Sequence, residues 1–186
     1  MGKFRNEMEQ YIKEILIPQA KIQKRISQLA KQISADYTGK VPLIVGILKG
    51  AVFFVSDLLR NLSIPVKLDF MSVSSYSGTE TTGEVKILKD LDIPIMGEHV
   101  IVVEDIVDTG LTIARLLEIL EARHPASLRV CALLDKPSRR RVEVPLHYVG
   151  FEIPDRFVVG YGLDYNQMFR NLPYIGVLDI ESFRSI

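Results

Sequence analysis

Val100-Ile101-Val102-Val103-Glu104-Asp105-Ile106-Val107-Asp108-Thr109-Gly110-Leu111-Thr112 is the stretch on which the fold turns. Its first four residues form the short apolar run expected of a strand buried on both faces. Two adjacent carboxylates end that strand, and a third follows at Asp108. Thr-Gly-Leu-Thr then opens a helix predicted over 111–123, where Ile113, Leu116, Leu117 and Leu120 make an i, i+3, i+4, i+7 stripe. Strand, short loop and helix in that order are the unit from which parallel sheets are built.

Each part of the stretch suits a chemical task. Backbone N–H groups at a helix start are unpaired and lie at the positive end of the helix dipole, so Thr109, Gly110 and Thr112 can receive a phosphate. Glu104 and Asp105 can hold sugar hydroxyls or a hard cation. Asp108, between these regions, can accept a proton. The plain alternative is that Asp108 or Thr109 caps the helix and the paired acids are merely solvated.

Outward from this stretch, strands and helices alternate. Upstream, 42–48 reads as a buried strand, 51–62 as a helix with Val52, Val55, Leu58 and Leu59 on one face, and 65–73 as a second strand. The polar, glycine-bounded run 74–83 reads as a mobile loop, followed by a brief strand at 85–88. Downstream, 128–134 reads as a fourth core strand, with shorter candidates at 146–149, 157–159 and 174–178. The amino-terminal segment reads as helix broken at Pro18, with Ile22, Ile26, Leu29 and Ile33 on one face beyond it. The fold class is therefore α/β, a central mostly parallel sheet flanked by helices, with ligands expected where strands end at Leu48, Val103 and Leu134.

Composition bounds the rest. The 186 residues are 47% hydrophobic and 25% charged, which suits one domain spanning 1–186. Twenty-three basic side chains balance 23 acidic ones, so the basic excess of a general nucleic-acid binder is missing. The lone cysteine, Cys131, sits in an apolar run and reads as a buried small hydrophobe. No apolar run reaches the roughly 18 residues of a membrane span, and the first thirty residues lack the apolar core of a secretory leader. The expectation is a cytoplasmic protein without membrane or nucleic-acid partners.

The 100–112 string resembles the phosphoribosyl-pyrophosphate signature of type I phosphoribosyltransferases: hydrophobic strand, two acids, two hydrophobics, Asp-Thr-Gly, one variable residue, then Thr. Other segments resemble, in order, the bacterial-type hypoxanthine-guanine phosphoribosyltransferases within that family. Leu48-Lys49-Gly50 resembles the pyrophosphate-binding loop, whose Leu48–Lys49 bond can be cis, and Ser75-Tyr76 resembles the start of the flexible lid. Lys136 matches the lysine that donates to the purine O6, and 149–173 resembles the hood over the base.

The resemblance implies a type I phosphoribosyltransferase fold with a small purine-binding hood built mainly from about 145–186, with an amino-terminal contribution. It implies transfer of the phosphoribosyl group of phosphoribosyl pyrophosphate to N9 of a 6-oxopurine, hypoxanthine or guanine. It places the sugar phosphate on Glu104, Asp105, Asp108, Thr109, Gly110, Leu111 and Thr112, with Asp108 as proton acceptor, and pyrophosphate on Leu48, Lys49, Gly50 and Arg170. The base falls to Lys136, Phe157, Val158 and Asp164, and Mg2+ to Glu104, Asp105 and Asp164. The family tends to form dimers and tetramers, so a homo-oligomer is expected. The rivals are the same chemistry on xanthine or a pyrimidine, and a regulatory protein that keeps the sugar-binding fold but binds nucleic acid or a partner. The 157–164 segment counts against a pyrimidine, and the balanced charge against the regulator.

Overall fold

A computed structural model describes residues 8–75 and 85–184, and its first strand is a departure from expectation. β1 (Ile12–Ile17) lies where helix was predicted before Pro18. It is a strand because its partner is remote: Ile12, Glu14, Ile15 and Ile17 pair antiparallel with Leu178, Val177, Gly176 and Ile175. Local periodicity carries no trace of such a partner, and tertiary pairing overrides the weak helical tendency. α1 (Gln19–Asp36) follows Pro18 directly and buries Ile22, Ile26, Leu29, Ala30 and Ile33.

β2 (Leu43–Leu48) leads into α2 (Val52–Asn61). The buried stripe of α2 is Phe54, Val55 and Leu58, and Val52, assigned to it from spacing, is exposed. β3 (Lys67–Ser75) and β4 (Val85–Lys89) are joined through residues outside the described set. β5 (His99–Val107), α3 (Leu111–Glu121), β6 (Ser127–Asp135) and β7 (Tyr148–Glu152) complete the main layers. β8 (Val158–Val159), β9 (Ile175–Leu178) and α4 (Ile180–Arg184) close the chain.

The central sheet has the order β4-β3-β2-β5-β6-β7, parallel throughout except for β4, which runs antiparallel to β3 at the edge. A second sheet, β1-β9-β8, is antiparallel. On one face of the central sheet Ile44, Ile101, Val103 and Leu133 join the apolar sides of α1 and α2. On the other, Leu43, Val45, Val100 and Val102 meet Ile113, Leu116 and Leu120 of α3. Cys131 is fully buried, and that burial pushes its thiol pKa far up, so it packs as a hydrophobe. Among the described residues no helix is long and apolar enough to cross a membrane.

The chain reverses direction between β2 and β5. It winds outward from β2 to β3 and β4, then outward the other way from β5 to β6 and β7. The loops leaving β2 and β5 therefore part at the carboxyl ends of adjacent strands and leave a crevice there.

Candidate active site

Glu104 and Asp105 are not loop residues at the end of a four-residue strand. β5 runs on through both to Val107, with Glu104 paired to Ala132 and Ile106 to Leu134 of β6. Side chains alternate along a strand. Glu104 continues the Val100–Val102 side toward α3, and Asp105 the Ile101–Val103 side, where it meets Gly50 of the loop after β2.

Glu104 is 8% exposed; burial, reinforced by the charge of Asp105, pushes its carboxyl well above the usual range. Burial also pushes Asp105 up to about 6; the Ile106 amide and Arg170 pull it down, and the Asp164 carboxylate pushes it up. The folded chain thus keeps a proton on Asp105 through a window, from 3.8 to about 6, in which the unfolded chain releases it. This contribution favours folding below that window and is lost as pH rises through it. In chelator-containing buffer, Asp105→Asn is expected to gain on the order of 1–2 kcal/mol over the parent at pH 8, allowing for the partial solvent access of the group. The gain should vanish near pH 4, and thermal melts at both pH values check it.

Two cavities flank this strand end. The larger, about 330 Å³, is lined by Asp105, Asp108, Lys136, Arg139, Phe157, Val158 and Asp164 among others. The smaller, about 110 Å³, is lined by Glu104, Asp108, Thr109, Gly110 and Thr112 among others. Asp108 lines both and so stands in the wall between them.

The smaller cavity is a helix entrance. Gly110 precedes α3 with φ 83°, and no side chain caps the helix. Within the loop, the Leu111 amide approaches Thr109 Oγ1 at 3.4 Å. A Cβ on Gly110 would strike the carbonyl of Val142 as well as strain that φ, so only glycine fits. The amides of Arg141 and Val142 donate to the Thr109 carbonyl at 2.8 and 3.2 Å. The segment after β6 thus straps the loop from outside.

That strap supplies two residues absent from the sequence-derived set. Arg140 donates to the Asp108 carbonyl at 3.0 Å and pairs with Asp135. Arg139 Nε lies 3.3 Å from Asp108 Oδ1, and its Nη1 lies 3.7 Å from Asp155. Asp108 Oδ1 is shielded from solvent without an aligned hydrogen bond. The signal available was the Arg139-Arg140-Arg141 run close behind Lys136.

In the larger cavity Lys136 is 5% exposed, donates from Nζ to the Arg156 carbonyl at 2.9 Å and lies 3.8 Å from Asp155. The Phe157 ring is 43% exposed and sits edge-on to Tyr165 at 5.6 Å. Val158 is buried in β8.

Leu48, Lys49, Gly50 and Leu111 line neither cavity. The Leu48–Lys49 bond is cis, and Gly50 lies so close to the Asp105 carboxylate that a Cβ would overlap it. A Cβ on Gly162 would in turn overlap the Gly50 carbonyl, so the β2 loop is pressed between Asp105 and the 160–170 segment. Arg170 pairs with Asp164 at 2.7 Å and donates to the Gly162 carbonyl at 2.7 Å. Gln167 Oε1 accepts from both Lys49 Nζ and Arg170 Nη2, at 3.3 and 3.1 Å. Asp105, Asp164, Arg170 and the β2 loop are therefore neighbours, while Glu104 faces the other cavity. Among the described residues no three acidic, histidine or cysteine side chains form a ready metal cage. Ser75 is the last residue of β3, and Tyr76 lies outside the described residues.

Residues 13–166 match the family described as phosphoribosyl transferase domain. The chain is 53% identical over 166 residues to the hypoxanthine phosphoribosyltransferase of Salmonella typhimurium, covering 88% of this chain and 93% of that one. It is 46% identical over 172 residues to the hypoxanthine-guanine phosphoribosyltransferase of Bacillus subtilis, covering 92% and 96%. The crystal structure of a hypoxanthine phosphoribosyltransferase from Staphylococcus aureus superposes with a TM-score of 0.92 at 47% identity, covering 95% of this chain and 97% of that one.

Proposed function

The chain belongs to the phosphoribosyltransferase family, and from that premise we propose that it transfers the 5-phosphoribosyl group of phosphoribosyl pyrophosphate to N9 of hypoxanthine or guanine. The products are IMP or GMP and pyrophosphate, the chemistry of purine salvage. The observation that carries this reading is the pair of cavities divided by Asp108, one at a helix start and one roofed by an exposed aromatic ring beside a buried lysine.

The small cavity suits the 5′-phosphate, received by the amides at the start of α3 and the Thr109 and Thr112 hydroxyls. The large cavity suits the purine, stacked on Phe157, with its edge against the Val158 backbone and its O6 taking a hydrogen bond from Lys136. A donor there favours a 6-oxo base over adenine, whose amino group also donates. We assign the hood to the β1-β9-β8 sheet and the segments joined to it.

Lys49 and Arg170 receive the pyrophosphate, the latter as a planar charged fork. Asp105 and Asp164 fit a magnesium ion: both carboxylates border the large cavity, and the Asp164 carboxylate raises the cost of charging Asp105. Magnesium takes one or two carboxylates and completes its shell with water and substrate phosphate oxygens, so no closed protein cage is required. When bound, it screens the diphosphate and stabilises the leaving pyrophosphate. Rupture of the bond to pyrophosphate leaves a cation-like sugar carbon, which the surrounding carboxylates stabilise by position alone. Asp108 takes or holds the proton of the imidazole ring of the base while N9 attacks from the opposite face. Family membership also supports a cytoplasmic homo-oligomer, dimer or tetramer.

The test is a product assay. The protein, magnesium and phosphoribosyl pyrophosphate are mixed with hypoxanthine, guanine, xanthine or adenine in turn, and the nucleotide formed is identified. IMP and GMP are expected. XMP alone would move the assignment to the rival base, and no nucleotide from any base would remove it.

A further inference from the structure

Tyr161 does not line either active-site cavity, yet its backbone is held in an unusual conformation. It takes φ 50° between Gly160 at φ 97° and Gly162 at φ 103°, a left-handed run that a bulky residue adopts only where its surroundings impose it. The imposing contacts are identifiable. The Tyr161 amide donates to the Leu172 carbonyl at 2.8 Å, and its buried ring lies against Phe53 at 6.2 Å. Its hydroxyl donates to Asp57 Oδ2 at 2.5 Å, and the same oxygen accepts from Gln23 Nε2 at 2.7 Å. Burial and the Asp57 carboxylate hold the phenol far above its ordinary pKa, so it stays a donor.

Asp57 belongs to α2, the helix that follows the Leu48-Lys49-Gly50 loop, and Gln23 to α1. The next residue after Tyr161 is Gly162, whose amide donates to the Arg170 carbonyl at 2.9 Å and whose carbonyl holds the Arg170 guanidinium. Gly162 is also the residue pressed against Gly50. The turn at 160–162 therefore touches Arg170 and the loop that carries Lys49, and the Tyr161–Asp57 bond ties that turn to the helix following the loop. Arg170, Asp57 and Tyr161 share a further cavity of about 210 Å³, so a released turn and its arginine have room to withdraw.

We propose that Tyr161 is a positioning residue for the pyrophosphate subsite: its bond to Asp57 fixes the 160–162 turn on α2 and thereby sets Arg170 and the β2 loop relative to Asp105. This rests on the reading that Lys49 and Arg170 receive pyrophosphate. The experiment is calorimetric titration of the full chain with magnesium pyrophosphate, beside KM values for phosphoribosyl pyrophosphate and hypoxanthine, well below the thermal midpoint. Tyr161→Phe is expected to raise the pyrophosphate Kd and the phosphoribosyl pyrophosphate KM roughly fivefold to tenfold, with the hypoxanthine KM within about twofold of the parent. Asp57→Ala should match it, and the double variant should be no worse than either. Asp57→Asn keeps an oxygen for the phenol and should return the Kd to within about twofold. Should Tyr161→Phe fail to fold, the two Asp57 variants read the same bond from α2.

A lowered thermal midpoint with unchanged pyrophosphate Kd would overturn the proposal and leave a structural tyrosine. So would an equal loss for hypoxanthine. Arg170→Ala separates the premise: if it weakens pyrophosphate and the Tyr161 and Asp57 variants do not, only the positioning role falls. If Arg170→Ala itself leaves pyrophosphate unaffected, the subsite assignment falls with it.

Discussion

Replacing Asp108 by Asn is expected to lower kcat roughly a hundredfold to a thousandfold while the KM for phosphoribosyl pyrophosphate stays within about threefold. The amide has the size of the carboxylate but cannot take a proton. The loop it belongs to should survive, because its fixing contacts are made by backbone atoms. Arg140 reaches the Asp108 carbonyl, the Arg141 and Val142 amides reach the Thr109 carbonyl, and Gly110 packs on Val142. What is lost is charge facing Arg139 and a proton acceptor in the wall between the two cavities. Steady-state kinetics with hypoxanthine and varied phosphoribosyl pyrophosphate make the separation. Undiminished kcat would remove Asp108 as the base; a lost kcat with an equally weakened sugar substrate would mean that the loop, not the proton, had been damaged.

The second large effect is expected at Lys136. Its ammonium is buried at the end of β6 and held by the Arg156 carbonyl, with Asp155 as counter-charge. A charged donor already withdrawn from water and aimed into the base cavity discriminates strongly, because a base offering a donor in return leaves it unpaired. Lys136→Ala should cut kcat/KM for hypoxanthine and guanine roughly tenfold to a hundredfold, with the preference for 6-oxopurines over adenine shrinking by a similar factor. Competition between hypoxanthine and adenine for limiting phosphoribosyl pyrophosphate reads the ratio directly. A parallel loss for both bases, with the ratio intact, would assign Lys136 to folding of the strand end.

The places of these two residues were legible because ligands were expected just beyond the apolar runs that end at Val103 and Leu134, whereas the role of Lys136 came from resemblance alone. The same logic located Asp105 and the start of α3. It could not assign the paired acids to separate compartments, because the strand end was drawn at Val103, before them, and only the pairing of Glu104 and Ile106 with β6 shows that the strand continues. Residues 12–17 were misread for a related reason: their partner lies at 175–178, and no local pattern announces a partner so remote. Arg139 and Arg140 escaped notice because a basic run after a strand is ordinarily solvated, and what makes these two different is the loop folded beneath them. Phe157, Asp164 and Arg170 entered only through resemblance. Their spacing carries no periodic signal, and the pair between Asp164 and Arg170 spans left-handed residues at Asn166 and Gln167 that propensity does not forecast.

Placing neighbouring acids back to back on one strand makes β5 intolerant of any change in length. Deleting one residue between His99 and Val103 would leave the segment as hydrophobic as before, with ample material to pair with β2 and β6. Yet Glu104 and Asp105 would turn over, swapping which compartment receives which carboxylate. The parity of this strand, odd against even, therefore decides which carboxylate lines which cavity. Substitutions along it can be graded in effect, whereas an insertion or deletion of one position abolishes the arrangement outright.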